Sequence, residues 1–279
     1  MPVTEAVDPA RAAARLAACV REAGLLARSM FGTALKTWYK EALYKDARHK
    51  DATSPVTEAD IAVDRLLRDR LAGEAAGFGW LSEETADDPG RLAQRYVWIV
   101  DPIDGTRAFI AGQPDWAVAA ALIDNGRPVA ACLYAPVSDE LFVAAAGKGA
   151  TRNGVAIAAT PGSSLAQARV AGPKVFLDKL AAVAPPFTTM PRLPSLALRL
   201  VRVAQGVFDA VIAGPNSHDW DLAAADLLVH EAGGAMTTFA GEPVTYNRPV
   251  PRHGALVAAG RDRHAALIDL FRDRRIAYP

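Results

Sequence analysis

Apolar positions along this chain follow two patterns, and the change from one to the other organises the reading. Near the start, Leu16, Cys19, Val20, Ala23, Ala27, Met30 and Phe31 recur at helical spacing. Asp8 and Pro9 supply an N-cap and a first helical position, so a helix is predicted from there to about Gly32. Thr33 to Thr53, which includes Lys50, is polar and carries no clear period. Pro55 fixes an extended stretch, and Thr57 with Asp60 has the spacing of a capping box. A second helix follows to about Ala72, with Ala59, Ala62, Val63, Leu66 and Leu67 on its apolar side. The pattern then shortens. Gly79 to Leu81, Tyr96 to Val100, Trp116 to Ile123, Val129 to Tyr134 and Glu140 to Ala145 read as strands. Asp124-Asn125-Gly126 is a hairpin signal, and Pro136 to Asp139 makes another turn. Asp87 to Gly90 reads as a loop. The run Gly147 to Gly154 is a glycine-punctuated turn without the spacing of a nucleotide-binding loop. Together these strands predict an antiparallel meander packed against the first two helices.

At Thr160 to Ser164 the texture changes, which marks the best internal boundary. The halves 1–160, α+β with an antiparallel sheet, and 161–279, α/β, are expected to form one integrated unit. In the second half, Arg169 to Ala171, Phe208 to Ile212, Met236 to Phe239 and Ala255 to Ala259 read as strands. Pro173 to Ala182, Leu196 to Gln205 and Asp262 to Arg274 read as helices. The clearest helix of this half runs from Asp221 to Ala232 and is closed by Gly233 and Gly234.

Composition narrows the function classes. With 279 residues, 51% hydrophobic and 22% charged, the chain reads as an ordinary globular protein able to bury a large core. A formal net charge of zero gives no electrostatic case for nucleic acid or an anionic membrane, so anion affinity must come from a local site. Two cysteines, Cys19 and Cys132, are too few for a disulfide framework or a zinc site. The first residues lack the pattern of a signal peptide, and no apolar run approaches a membrane span. A cytoplasmic setting is expected.

The candidate chemistry centres on Tyr96 to Thr106, where an apolar run ends abruptly at Asp101. Pro102 cannot donate to a ladder and is expected to end regular pairing. Asp104 follows three residues on, Gly105 permits a turn, and Arg107 to Ile110 has the length of one helical turn. Two carboxylates this close, beside backbone amides, suit a hard divalent cation next to a phosphate. Taken singly each acid has a structural explanation. Asp60 suits the first turn of a helix, Asp221 an N-cap, and the Glu83-Glu84 pair a solvated surface. Taken together, Asp60, Glu83, Asp101 and Asp221 lie at the ends of elements, where α/β folds gather their sites.

Ser82-Glu83-Glu84, the run Asp101 to Thr106, and Trp220 to Gly234 resemble the inositol monophosphatase family, in that order and over most of the chain. The resemblance implies a layered αβαβα sandwich and a Mg²⁺-dependent, Li⁺-sensitive phosphomonoesterase with two or three ions. It implies that Glu83, Asp101 and the Ile103 carbonyl hold one Mg²⁺, and that Asp101, Asp104 and Asp221 hold a second. Asp60 would help hold a third ion or its water. Thr106, hydrogen-bonded to Asp60, would orient and deprotonate the attacking water, and the Gly105 and Thr106 amides would receive the phosphate. Members specific for inositol phosphates usually carry a glutamate seven residues before the aspartate matching Asp221, and here that position is Gly214. Asn216, His218 and Asp219 are the candidate substrate-binding residues. The local runs also resemble relatives acting on 3'(2'),5'-bisphosphate nucleotides or on histidinol phosphate. Some bacterial members bind transcription machinery, and a homodimer is common in the family.

Overall fold

The computed structural model describes residues 6–39, 54–72 and 77–273. Lys50, and residues 50–53 of the run leading into the second helix, lie outside the described residues. The elements follow in order: α1 (Pro9–Met30), β1 (Thr37–Tyr39), β2 (Pro55–Thr57), α2 (Glu58–Ala72), β3 (Gly79–Ser82), β4 (Tyr96–Asp104), α3 (Thr106–Ile110), β5 (Ala117–Asp124), β6 (Arg127–Ala135), β7 (Glu140–Ala145), β8 (Ala150–Arg152) and β9 (Val155–Ala156). The second half adds β10 (Arg169–Ala171), α4 (Lys174–Ala181), β11 (Thr188–Thr189), α5 (Leu196–Ala204), β12 (Ala210–Ala213), β13 (Ser217–His218), α6 (Asp219–Glu231), β14 (Gly234–Thr238), β15 (Arg252–His253), β16 (Leu256–Gly260) and α7 (Arg261–Arg272).

Strands β3 to β9 form one seven-stranded sheet in sequence order, antiparallel apart from the β3–β4 pair. Strands β11-β10-β12-β16-β14 form a mixed five-stranded sheet. Both faces of each sheet are covered, and the two-residue period of a strand sorts its side chains between them. In β5, Ala117, Ala119, Ala121 and Ile123 join the core under α5 and α6. Val118, Ala120 and Leu122 join the core under α1 and α2. In β16, Leu256 and Ala258 face that same middle layer, while Val257 and Ala259 face the α4–α7 side. The result is five layers, αβαβα: α1 and α2, the larger sheet, α5 and α6, the smaller sheet, then α4 and α7.

Small residues set how closely the layers approach. A side chain on Gly24 of α1 would place its Cβ 2.3 Å from the Tyr134 ring, so the helix rests directly on β6 only because Gly24 has none.

The structure departs from the sequence-based reading at several points. β4 does not stop at Asp101 but runs through Pro102 to Asp104. The register passes from Asp101↔Ala119 to Asp104↔Ala117, so three steps on β4 match two on β5. That is a β-bulge, and it accommodates the proline that a regular ladder would refuse. α6 starts at Asp219 rather than Asp221, with His218 as its N-cap. The Asp87–Gly90 stretch enters a short 3-10 helix, Pro89–Ala93, capped by Asp88. The glycine-punctuated run contains β8. Its Gly147 and Gly149 amides donate to the Glu231 carboxylate.

One ion-pair network fastens the middle layer to the larger sheet. Glu140 at the start of β7 accepts from Arg202 of α5 at 3.0 and 2.8 Å, and also from Ser138 and Gln205. Burial alone would raise the Glu140 pKa, but Arg202 and the other donors outweigh it and bring it down to about 2. A carboxylate depressed in the folded state stabilises the fold fully above its unfolded pKa. That stabilisation is lost as pH falls through the folded value. Glu140→Gln is therefore expected to lower stability by about 2 kcal/mol at neutral pH. Urea unfolding across a pH series should show the gap shrinking between pH 4.5 and 2. A gap that stays constant in acid would remove the ion pair as its cause.

Candidate active site

The site forms where β4 ends. In an unbroken strand two residues three apart point to opposite faces. The extra residue in the bulge returns Asp104 to the same side as Asp101, and the two carboxylates converge. Gly105 then turns the chain into α3 with φ +99°, a left-handed conformation that L side chains rarely adopt. A Cβ there would also lie 3.1 Å from the Asp115 carbonyl oxygen and 3.3 Å from the Trp116 side chain. The parallel register of β3 on β4 pairs Ser82 with Val100, so one step further sets Glu83 beside Asp101.

One more acid arrives from the second half of the chain, which also holds Asp104 in place. Asp221 stands in the first turn of α6, and its Oδ2 accepts from the His218 backbone N–H at 2.6 Å. Ligand oxygens of Asp101, Asp104 and Asp221 all lie within 4.8 Å of one another. Asp104 is buried and accepts from Ser195 Oγ at 2.6 Å, Ala197 N at 2.6 Å and Leu196 N at 3.2 Å. These are the cap and first amides of α5, whose positive end suits a carboxylate. Burial nonetheless wins, and the Asp104 pKa is raised despite those donors.

Asp101 meets repulsion from several acids while almost shut off from solvent. It is buried, and among the described residues neither of its oxygens has a hydrogen-bond partner. Burial drives its pKa well above the ordinary carboxylate range, followed by the charges of Glu83, Asp104, Asp221 and Glu84. Buried carboxylate oxygens with no donor are rare in a folded protein. Here they meet several other hard oxygen donors of the same sign, the donor set of a divalent cation such as Mg²⁺ or Ca²⁺. The residues fit a metal centre.

The remaining candidates fall on either side of the cluster. Asp60, in the first turn of α2, accepts from Thr57 N at 2.7 Å and Thr57 Oγ1 at 2.6 Å. Its Oδ1 lies 3.2 Å from Thr106 Oγ1, which also lies 3.0 Å from the Ile103 carbonyl oxygen. The single hydroxyl proton serves one of these acceptors at a time. His218 is half-buried, its ring stacked on Trp220 with centroids 4.6 Å apart and 6° between planes, and its Nε2 is 3.4 Å from an Arg252 nitrogen. Asn216 is exposed in a left-handed turn. Asp219 differs from its expected role at the substrate. It is fully buried, with Oδ1 2.6 Å from His253 Nε2 and Oδ2 accepting from Asn247 N at 2.7 Å, so it fastens α6 to β15 instead of facing a cleft. Ser195 is the residue that sequence reasoning missed, although a serine before an apolar helix is itself a capping signal.

With this fold and this acidic centre established, the relatives are informative. Residues 8–275 match the model of the inositol monophosphatase family. The inositol-1-monophosphatase of Caulobacter vibrioides is 31% identical over 238 residues, covering 78% of this chain and 87% of that one. The histidinol-phosphatase of Mycobacterium tuberculosis is 34% identical over 201 residues, covering 67% and 75%. The crystal structure of the extragenic suppressor protein suhB from Bartonella henselae superposes with a TM-score of 0.78 at 27% identity, over 94% of this chain and 98% of that one. The chain belongs to the inositol monophosphatase family. It is a phosphoric monoester hydrolase of a metal-dependent kind, and its buried acidic cluster is of the type that dependence requires.

The cluster predicts opposite responses to one substitution. Asp101→Asn relieves the repulsion that Glu83, Asp104 and Asp221 exert on a buried carboxylate, so in EDTA the variant is expected to melt a few degrees above the wild type. In saturating Mg²⁺ the order should reverse, and turnover should nearly vanish. Thermal unfolding under the two conditions reads both effects. A variant less stable than wild type in EDTA would show that Asp101 carries no uncompensated charge.

Proposed function

We propose that this chain is a Mg²⁺-dependent phosphomonoesterase that hydrolyses small polar phosphate esters by attack of a positioned water. The observation that carries the reading is the pair of buried Asp101 oxygens, without a hydrogen-bond partner among the described residues, set among like charges beside the Gly105 turn. Glu83, Asp101 and the Ile103 carbonyl would hold one ion. Asp101, Asp104 and Asp221 would hold a second, and Asp60 a more weakly bound third or its water. Such ions supply charge neutralisation for a phosphate dianion and acidify water.

The chain's own groups do the rest. Thr106, by directing its proton to Asp60, leaves its oxygen lone pairs to accept from the attacking water and orient it. The Gly105 and Thr106 amides, at a helix start without intrahelical acceptors, would receive phosphate oxygens. Thr106→Ala should lower kcat roughly 100-fold or more while Mg²⁺ affinity stays close to wild type, measured by steady-state kinetics and metal titration. An unchanged kcat would take Thr106 out of the mechanism.

The leaving-group side is read from Gly214. Among the described residues a Cβ at Gly214 would meet only Pro173 Cγ, at 3.5 Å, so a side chain fits there and none is present to grip a polyol. An open site discriminates weakly. Inositol 1-phosphate is expected to be one of several substrates, with an adenosine 3',5'-bisphosphate at least as good. A kcat/KM panel of the two, with histidinol phosphate and fructose 1,6-bisphosphate alongside, tests this. Gly214→Glu should shift the panel toward inositol 1-phosphate by about tenfold, and a strong wild-type preference for that ester would overturn the reading of Gly214. Li⁺ inhibition, a homodimer and a cytoplasmic setting belong to the same proposal.

A further inference from the structure

Behind the acidic cluster, one further carboxylate holds the loop that carries Glu83. Asp64 is buried on α2, one turn beyond Asp60. Its Oδ1 accepts from Ser82 Oγ at 2.5 Å and its Oδ2 from Thr85 Oγ1 at 2.6 Å. These two hydroxyls flank the Glu83-Glu84 pair on either side. Ser82 Oγ, its proton committed to Asp64, accepts in turn from the Glu84 backbone N–H at 3.3 Å.

Both hydroxyls donate to Asp64, so both of their oxygens are fixed in orientation. The short loop leaving β3 is thereby clamped at its two ends, with Glu83 between them. The clamp works against a definite force. Glu83 is the largest charge acting on Asp101, and without a cation the two carboxylates repel. A loop free to rotate would swing Glu83 away. α2 therefore serves the centre twice from adjacent turns, Asp60 toward Thr106 and Asp64 toward the Glu83 loop.

We infer that Asp64 is a positioning residue: it holds the Glu83-Glu84 loop in place against repulsion from Asp101, and so sets cation affinity without touching the cation. This rests on the metal-dependent reading above. Groups that orient ligands from behind typically contribute ten- to a hundred-fold in metal affinity.

The test uses the full chain without substrate. Mg²⁺ and Mn²⁺ binding is followed by calorimetry and by the cation-induced rise in Tm. Asp64→Ala is expected to weaken cation affinity ten- to a hundred-fold, while kcat at saturating cation falls less than threefold. Asp64→Asn, which keeps one acceptor, should recover part of the affinity. Thr85→Val removes one clamp bond at a half-buried position and should cost several-fold, which keeps the inference testable if Asp64→Ala fails to fold. In a Glu83→Gln background, Asp64→Ala should add little further loss, because both act through one ligand. Wild-type affinity in Asp64→Ala, or in Thr85→Val where Asp64→Ala does not fold, would overturn the inference, as would full additivity with Glu83→Gln. A wild-type chain that binds neither cation would overturn the metal-dependent reading itself, and this inference with it.

Discussion

Repulsion among carboxylates crowded at the end of the central strand is the constraint the rest of this structure answers. Asp101, Asp104 and Asp221 are close enough to hold one cation together, and Glu83 adds to the same field. Left to itself such a cluster would move apart or take up protons. The fold resists by aiming helix N-termini at it. α2 brings Asp60 in its first turn, α6 brings Asp221, and α5 gives its cap and leading amides to Asp104. Each N-terminus offers partial positive charge where the carboxylates need it. What remains uncompensated is concentrated on Asp101, and that residue is the one a cation would serve best.

Much of this was legible because local signals agreed with their environment. The central strand was plain from Tyr96 to Val100, since β-branched and aromatic residues cluster there and both faces are buried. The Thr57–Asp60 capping box closes as its spacing implies, with the reciprocal contacts of Thr57 and Asp60. The hairpin at Asn125-Gly126 takes the two positive φ values that such a turn demands.

Other features were hidden for reasons that can be stated. Pro102 announces only that one N–H is missing, and whether a strand stops there or bulges depends on its neighbour β5. Asp219 and Asp221 are two residues apart on a helix, so they point roughly 200° from each other and only one can face the cleft. That geometry becomes usable once the helix start is known to be Asp219, which the sequence alone placed two residues late. Ser195 was readable as a cap, but the carboxylate it serves lies 91 residues away.

That separation bears on the order in which the molecule assembles. Contacts between distant segments carry the entropy of closing the chain between them and form late. During synthesis Asp101 and Asp104 are made long before the helix that receives Asp104, and Asp221 later still. The cleft therefore exists only after the two sheets have come together through the middle helices. A chain interrupted before α5 would carry the central strand with its terminal acids unanswered, and a cation could find no complete set of donors to help it fold. The acidic centre is completed by folding and does not precede it.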